Sequence, residues 1–152
     1  MTLKDQALGF IEASRSARTA AQILDGAMAA VAGLEIEGMF VADVPAPGES
    51  IAPHILLRGW SELWIERYVV ENYVHFDPVA GELKRRLAPF TWTEACNRRL
   101  SHHEQKVMSE ARDFGLLDGV SVPVYDHRGR QSCVSFSGRR LKLDQEARRR
   151  FT

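Results

Sequence analysis

Near the end of the chain, Gly119–Tyr125 and Gln131–Gly138 read as β-strands. Between them, Asp126–Arg130 carries an Arg-Gly-Arg suited to a hairpin turn. A hairpin of this kind commits its neighbourhood to antiparallel pairing. The start of the chain has the other periodicity. Thr2 can cap a helix through about Ser16, with Leu3, Ala7, Phe10 and Ile11 on one side, and a second helix is predicted from about Thr19 to Ala32, stopped by Gly33. Beyond it the period shortens, and Glu35–Val44 and His54–Arg58 read as strands joined by a turn-rich Pro-Ala-Pro-Gly-Glu-Ser.

In the middle of the chain, Ser61 is expected to cap a helix through about Tyr73, and Pro78 to open another ending near Leu87. Pro89–Trp92 reads as a short strand, and Ser101 with Glu104 as the capping box of a helix ending at Gly115. Asp144 could cap a last helix. Helices grouped around a run of about five strands imply α+β architecture, an antiparallel sheet with helices on both faces. At 152 residues and 45% hydrophobic, the chain makes one domain with enough core to fold unaided.

No apolar run approaches the roughly 20 residues needed to span a bilayer. The charged, amphipathic N-terminus does not read as a signal peptide. Cys96 and Cys133 have no metal or redox spacing, and a reducing cytoplasm fits them. Net charge is zero but uneven: residues 1–82 carry 12 acids against 5 bases, residues 83–152 carry 8 against 15. That balance leaves no general nucleic-acid footprint. The basic residues Arg139, Arg140, Lys142 and Arg148–Arg150 read as a solvated helix face or the start of a linker.

Chemistry concentrates in Trp64, Tyr68, Asp77 and Trp92, spaced W-x3-Y-x8-D-P-x13-W. Trp60, Trp64 and Tyr68 stand at i, i+4 and i+8, which predicts one stripe on the helix after Ser61, extended by Leu63 and Asn72. Aromatics with polar tips can fill a core, but once buried they need partners, and a ligand carbonyl is one. Asp77 before Pro78 reads either as a plain N-cap or as an inward carboxylate held by hydrogen bonds such as a ligand amide supplies.

Other constellations are weak. His102-His103-Glu104 lacks the i, i+4 histidine pair of a zinc helix, and Ser132, Ser135 and Ser137 have no nucleophile-elbow sequence around them. His54, His75 and His127 are scattered, and no glycine-rich phosphate loop is present.

On Trp64, Tyr68, Asp77-Pro78, Trp92, Glu110-Ala111, Gly115, Gly119, Pro123 and Ser135-Phe136-Ser137, the chain resembles the autoinducer-binding domain of LuxR-type quorum-sensing transcription factors. Residues 59–138 carry the resemblance densely, and residues 1–58 agree in element order alone. It implies an α-β-α sandwich that encloses an N-acyl homoserine lactone, with no cofactor, no metal and no catalysis. Trp64 would donate to the lactone carbonyl, Asp77 accept the amide N–H, Tyr68 and Ser135 bond the acyl carbonyl, and Trp92 pack on the lactone ring. Val79, Trp60, Met39, Phe40 and Leu116 are the acyl-chain candidates, and the bulk of Trp60 points to a short, branched or aromatic acyl group.

The resemblance also implies a cytoplasmic homodimer that meets no membrane. The helix-turn-helix domain through which the family reads DNA is absent from this sequence. The chain is therefore expected to be an excised sensory domain or a naturally shortened relative. Two rivals remain: an inhibitory partner that dimerises with a full-length regulator, and an enzyme acting on acyl lactones, for which no nucleophile–base set is apparent.

Overall fold

A computed structural model of the chain describes residues 35–125 and 127–139. The sheet strands are β1 (Gly38–Asp43), β2 (Ile55–Gly59), β3 (Phe90–Thr91), β4 (Asp118–Tyr125) and β5 (Gln131–Gly138). The helices are α1 (Glu62–Val70), α2 (Pro78–Leu83), α3 (Trp92–Ala95) and α4 (His102–Asp113), with 3-10 turns at Ala52–His54 and Tyr73–His75. The order across the sheet is β2-β1-β5-β4-β3, and every neighbouring pair is antiparallel. The expected helices within 1–34 and after Asp144, the basic residues from 140 onward, and Asp126 of the hairpin turn lie outside the described residues.

Register decides what each face of the sheet carries. Phe40 pairs with Ser135, and Ser135 with Ser121, so these three form one row across β1, β5 and β4. Ala42, Cys133 and Pro123 form the next row on the same face. Because side chains alternate along a strand, Met39, Val41, Val122, Val134 and Phe136 point the other way, and all are buried. Both faces are therefore covered, as an α+β sandwich requires. On the Phe40 face the core draws Trp64, Ile65 and Tyr68 from α1, Val79 and Leu83 from α2, and Val107 and Ala111 from α4.

The capping box on α4 forms as expected. Ser101 Oγ accepts from Glu104 N at 3.1 Å and Glu104 Oε1 accepts from Ser101 N at 3.0 Å. Several expectations are corrected. Trp60 is not on α1: it sits in the bend after β2, and helix begins only at Glu62. Ser61 occupies the N-cap position, but its side chain makes no capping bond. The helix stops at Val70, because Asn72 turns the chain with a left-handed φ of 58°, a conformation its short polar side chain tolerates. Leu63 and Asn72 are exposed and do not extend the Trp64 face.

Two more boundaries move. α2 ends at Leu83, whose carbonyl accepts from Gln131 Nε2 at 2.6 Å. Trp92 belongs not to the short strand but to α3, which opens with a capping box of Thr91 and Glu94. Threonine followed three residues later by glutamate was the available signal.

Candidate ligand-binding site

Between the Phe40 face of the sheet and helices α1, α2 and α4 lies a cavity of about 70 Å³. Trp64, Tyr68, Asp77, Trp92, Ser135, Val79, Trp60, Phe40 and Leu116 all line it. The sequence-predicted residues thus meet in one place, with one exception. Met39 alternates with Phe40 along β1 and is buried under the opposite face, against the row of Phe136. It cannot touch anything in this cavity.

Asp77 is both the N-cap of α2 and a carboxylate that faces the cavity. One carboxylate oxygen caps α2, accepting from Val79 N at 2.8 Å, and the other accepts from Tyr68 Oη at 2.7 Å. Burial pushes the carboxyl above its ordinary range, while Tyr68 and the helix amides pull against that rise. Tyr68 moves the same way: burial, then the charge of Asp77, holds the phenol well above its usual value, so it is a donor at any physiological pH.

The three indoles divide by partner. Trp60 Nε1 donates to Ser137 Oγ at 2.8 Å and Trp92 Nε1 to Ser121 Oγ at 3.0 Å. The indole N–H of Trp64 has no partner among the described residues. Trp60 stacks on Phe40 with centroids 4.4 Å apart and planes 9° from parallel, and meets the edge of Trp92 at 6.2 Å. Together these rings form a fixed aromatic wall.

Sequence reasoning missed part of the site. Val107 and Ala111 line the cavity from α4, and their i, i+4 spacing was a legible apolar stripe. Tyr73, fully buried, supports Trp64 and Tyr68 from behind with ring centroids at 6.0 and 6.2 Å. Its hydroxyl donates to Glu110, which Arg67 grips from α1 at 2.6 and 2.9 Å. That guanidinium holds the Glu110 carboxyl below its usual range. No sequence spacing links residues 67, 73 and 110, and only the fold brings them together.

Glu110 carries a prediction of its own. Its folded pKa is lowered, so its contribution to stability is present above the unfolded value and disappears as pH falls through the folded one. Glu110→Gln should therefore flatten the acid limb of a melting-temperature profile against pH. The loss at neutral pH is expected to be at most about 1 kcal/mol, because the Arg67 side chain keeps 40% of its surface in solvent. An unchanged acid limb would show that the pair does not hold α1 to α4.

The fold and the cavity define the class: an α+β domain built round an aromatic-walled cavity. The family model for the autoinducer binding domain matches residues 19–152. The chain is 30% identical to the transcriptional activator protein BjaR1 of Bradyrhizobium diazoefficiens, over 94% of this chain and 60% of that protein. It is 28% identical to the quorum-sensing-dependent regulator RpaR of Rhodopseudomonas palustris, over 78% of this chain and 49% of that one. Among solved structures, the LuxR family transcription factor CepR2 of Burkholderia cenocepacia superposes with a TM-score of 0.66 at 22% identity, over 91% of this chain and 79% of that one. The chain belongs to the autoinducer-binding domain family of LuxR-type quorum-sensing transcriptional regulators. It spans 49–60% of the length of these two curated relatives. Among the described residues, no helix is long and apolar enough to cross a membrane, and no cluster of side chains could hold a metal ion.

Proposed function

We propose that this domain binds an N-acyl homoserine lactone in the cavity and couples the occupancy of that cavity to the stability of a regulator. The observation that carries the reading is the Tyr68–Asp77 pair, a donor and a carboxylate 2.7 Å apart on a largely apolar, aromatic wall. An amide presents the complementary set, an N–H for Asp77 and a carbonyl for Tyr68. Inserting it exchanges one internal hydrogen bond for two. Trp64, whose N–H is unclaimed by the described residues, is left to donate to the lactone carbonyl, and Ser135 to join Tyr68 at the acyl carbonyl. Trp92 packs on the lactone ring.

The cysteine in the cavity wall argues against lactone chemistry. Cys133 lines the cavity, but burial pushes its thiol up to about 11, so it is no nucleophile at neutral pH. In the proposal, the regulator acts as a homodimer and reaches DNA through a helix-turn-helix domain outside this sequence. A domain that instead pairs with a full-length relative and blocks it is distinguished by co-expressing the two and measuring reporter output.

The direct test is solvent extraction of purified protein followed by mass spectrometry for an acyl homoserine lactone. A ligand that binds only the folded state must also raise the melting temperature. At a tenfold excess over Kd the gain is about 1.4 kcal/mol. Equal melting with and without a panel of acyl homoserine lactones would sink the proposal.

Selectivity should follow from the aromatic wall. Trp60 is locked by its stack on Phe40 and its bond to Ser137, so it bounds the acyl end as a rigid plate. Val79 offers no hydroxyl for a 3-oxo group. Short, branched or aromatic acyl groups are therefore expected to bind better than long 3-oxo chains. Trp60→Ala should weaken binding of the preferred ligand and shift the ranking toward longer chains, each methylene newly accommodated being worth about 0.8 kcal/mol. An unchanged ranking across chain lengths would show that Trp60 does not close the cavity.

A further inference from the structure

Behind the cavity wall, side chains from β4, β5 and α3 form a hydrogen-bonded chain. Trp92 Nε1 donates to Ser121 Oγ at 3.0 Å, Ser121 Oγ lies 2.8 Å from Ser135 Oγ, and Ser135 Oγ lies 3.4 Å from Cys133 Sγ. Ser135 and Cys133 line the cavity, whereas Ser121 does not and is fully buried. We propose that Ser121 is a positioning residue that directs the hydroxyl proton of Ser135 into the cavity, toward a carbonyl oxygen of the ligand. This rests on the ligand reading given above.

The direction of the chain follows from counting protons. An indole N–H can only donate, so Trp92 occupies one lone pair of Ser121. Ser121 must then place its own proton, and the other side-chain oxygen bonded to it is that of Ser135. Were Ser135 to donate instead, the buried Ser121 proton would be left with only the weakly accepting sulfur of Cys133, the less favourable arrangement for a buried hydroxyl. Ser121 therefore donates and Ser135 accepts. Ser135 keeps its own proton for a third partner. The thiol sulfur of Cys133 is a weak acceptor, and a ligand carbonyl oxygen is a stronger one. Donation from Trp92 through Ser121 also polarises the Ser135 hydroxyl in the same sense. Cross-strand register makes this possible, because Ser121 and Ser135 are direct partners in the β4–β5 pairing.

A double-mutant cycle tests the assignment. N-hexanoyl homoserine lactone is titrated into the full chain and into the Ser135→Ala, Ser121→Ala and doubly substituted proteins, with melting curves recorded without ligand. Each single substitution is expected to weaken binding by about two- to tenfold, the worth of a neutral hydrogen bond. The Ser121 effect should be smaller in the absence of Ser135, the remainder being what Ser121 contributes by holding Trp92. Ser121→Cys keeps the shape but replaces a strong donor by a weak one, and should show the same loss and the same dependence on Ser135 even if the alanine variant folds poorly. A Ser121 effect that persists undiminished without Ser135, or wild-type affinity in both Ser121 variants, overturns the proposal. Wild-type affinity in Ser135→Ala overturns it by removing Ser135 from the ligand. Failure of the unsubstituted chain to bind the lactone overturns the ligand reading beneath it.

Discussion

Replacing Asp77 with alanine is expected to weaken acyl-lactone binding by roughly tenfold to a hundredfold, because a charge-assisted hydrogen bond contributes about 1.5–3 kcal/mol. The same substitution should lower the stability of the empty protein by about 1 kcal/mol, since one carboxylate oxygen caps α2 through Val79 N. The two effects separate with a second variant. Asn caps helices about as well as Asp, and with its single carbonyl oxygen on Val79 N its amide N–H can donate to Tyr68 Oη. Asp77→Asn should therefore keep most of the stability while losing the charge that a ligand N–H seeks. Titrations and melting curves of both variants decide the matter. If Asp77→Asn melts like the alanine variant but binds like the unsubstituted chain, Asp77 serves folding and not recognition.

Acid should act on Asp77 in two opposed ways. Burial raises its folded pKa above the unfolded value. A raised pKa means that protonation favours the folded state, so the contribution of Asp77 to stability is fully present below the unfolded pKa and is lost as pH rises through the folded one. Recognition runs the other way. A protonated carboxyl is a poorer acceptor for the ligand amide N–H, so affinity falls as pH drops through the raised pKa. Affinity that held constant on acidification, in a protein still folded, would contradict the carboxylate's role.

Much of this site was legible from one dimension because its residues sit where local rules are strong. Asp77 before Pro78 marks a helix start, and the i, i+4 spacing of Trp64 and Tyr68 puts them on one helical face whatever the tertiary fold. Trp60 shows where that logic stops. Its spacing continues the stripe, yet the helix begins only at Glu62, and the indole reaches the cavity from the bend after β2 through contacts with Phe40 and Ser137. Met39 failed for a related reason: one step along a strand reverses the face, and nothing local said which face of β1 would meet the cavity. The link between Tyr73, Glu110 and Arg67 was invisible because it is made by packing α1 against α4 across residues distant in sequence.

Gly119 is the position where a single methyl should do the most damage. A Cβ there would stand 2.2 Å from Trp92 Cε2 and 2.5 Å from two further atoms of the same ring, far inside van der Waals contact. The neighbour is not a flexible tip that can swing aside. Trp92 is fixed by its bond to Ser121 and by the edge contact with Trp60. Gly119→Ala must therefore push the indole off the sheet or bend β4. Overpacking of this kind lowers stability by about 1–3 kcal/mol, occasionally more. Displacing Trp92 should also remove the surface proposed to hold the lactone ring, so binding should be lost along with melting temperature. Gly81 is the control: nothing lies within 4 Å of a Cβ built there, and it sits inside α2. Gly81→Ala should raise stability by about 0.5–1 kcal/mol. The clash itself is tested in a Trp92→Ala background, where the ring is gone and Gly119→Ala should cause little further loss. Fully additive losses would mean that Gly119 is required for a reason other than the ring lying over it.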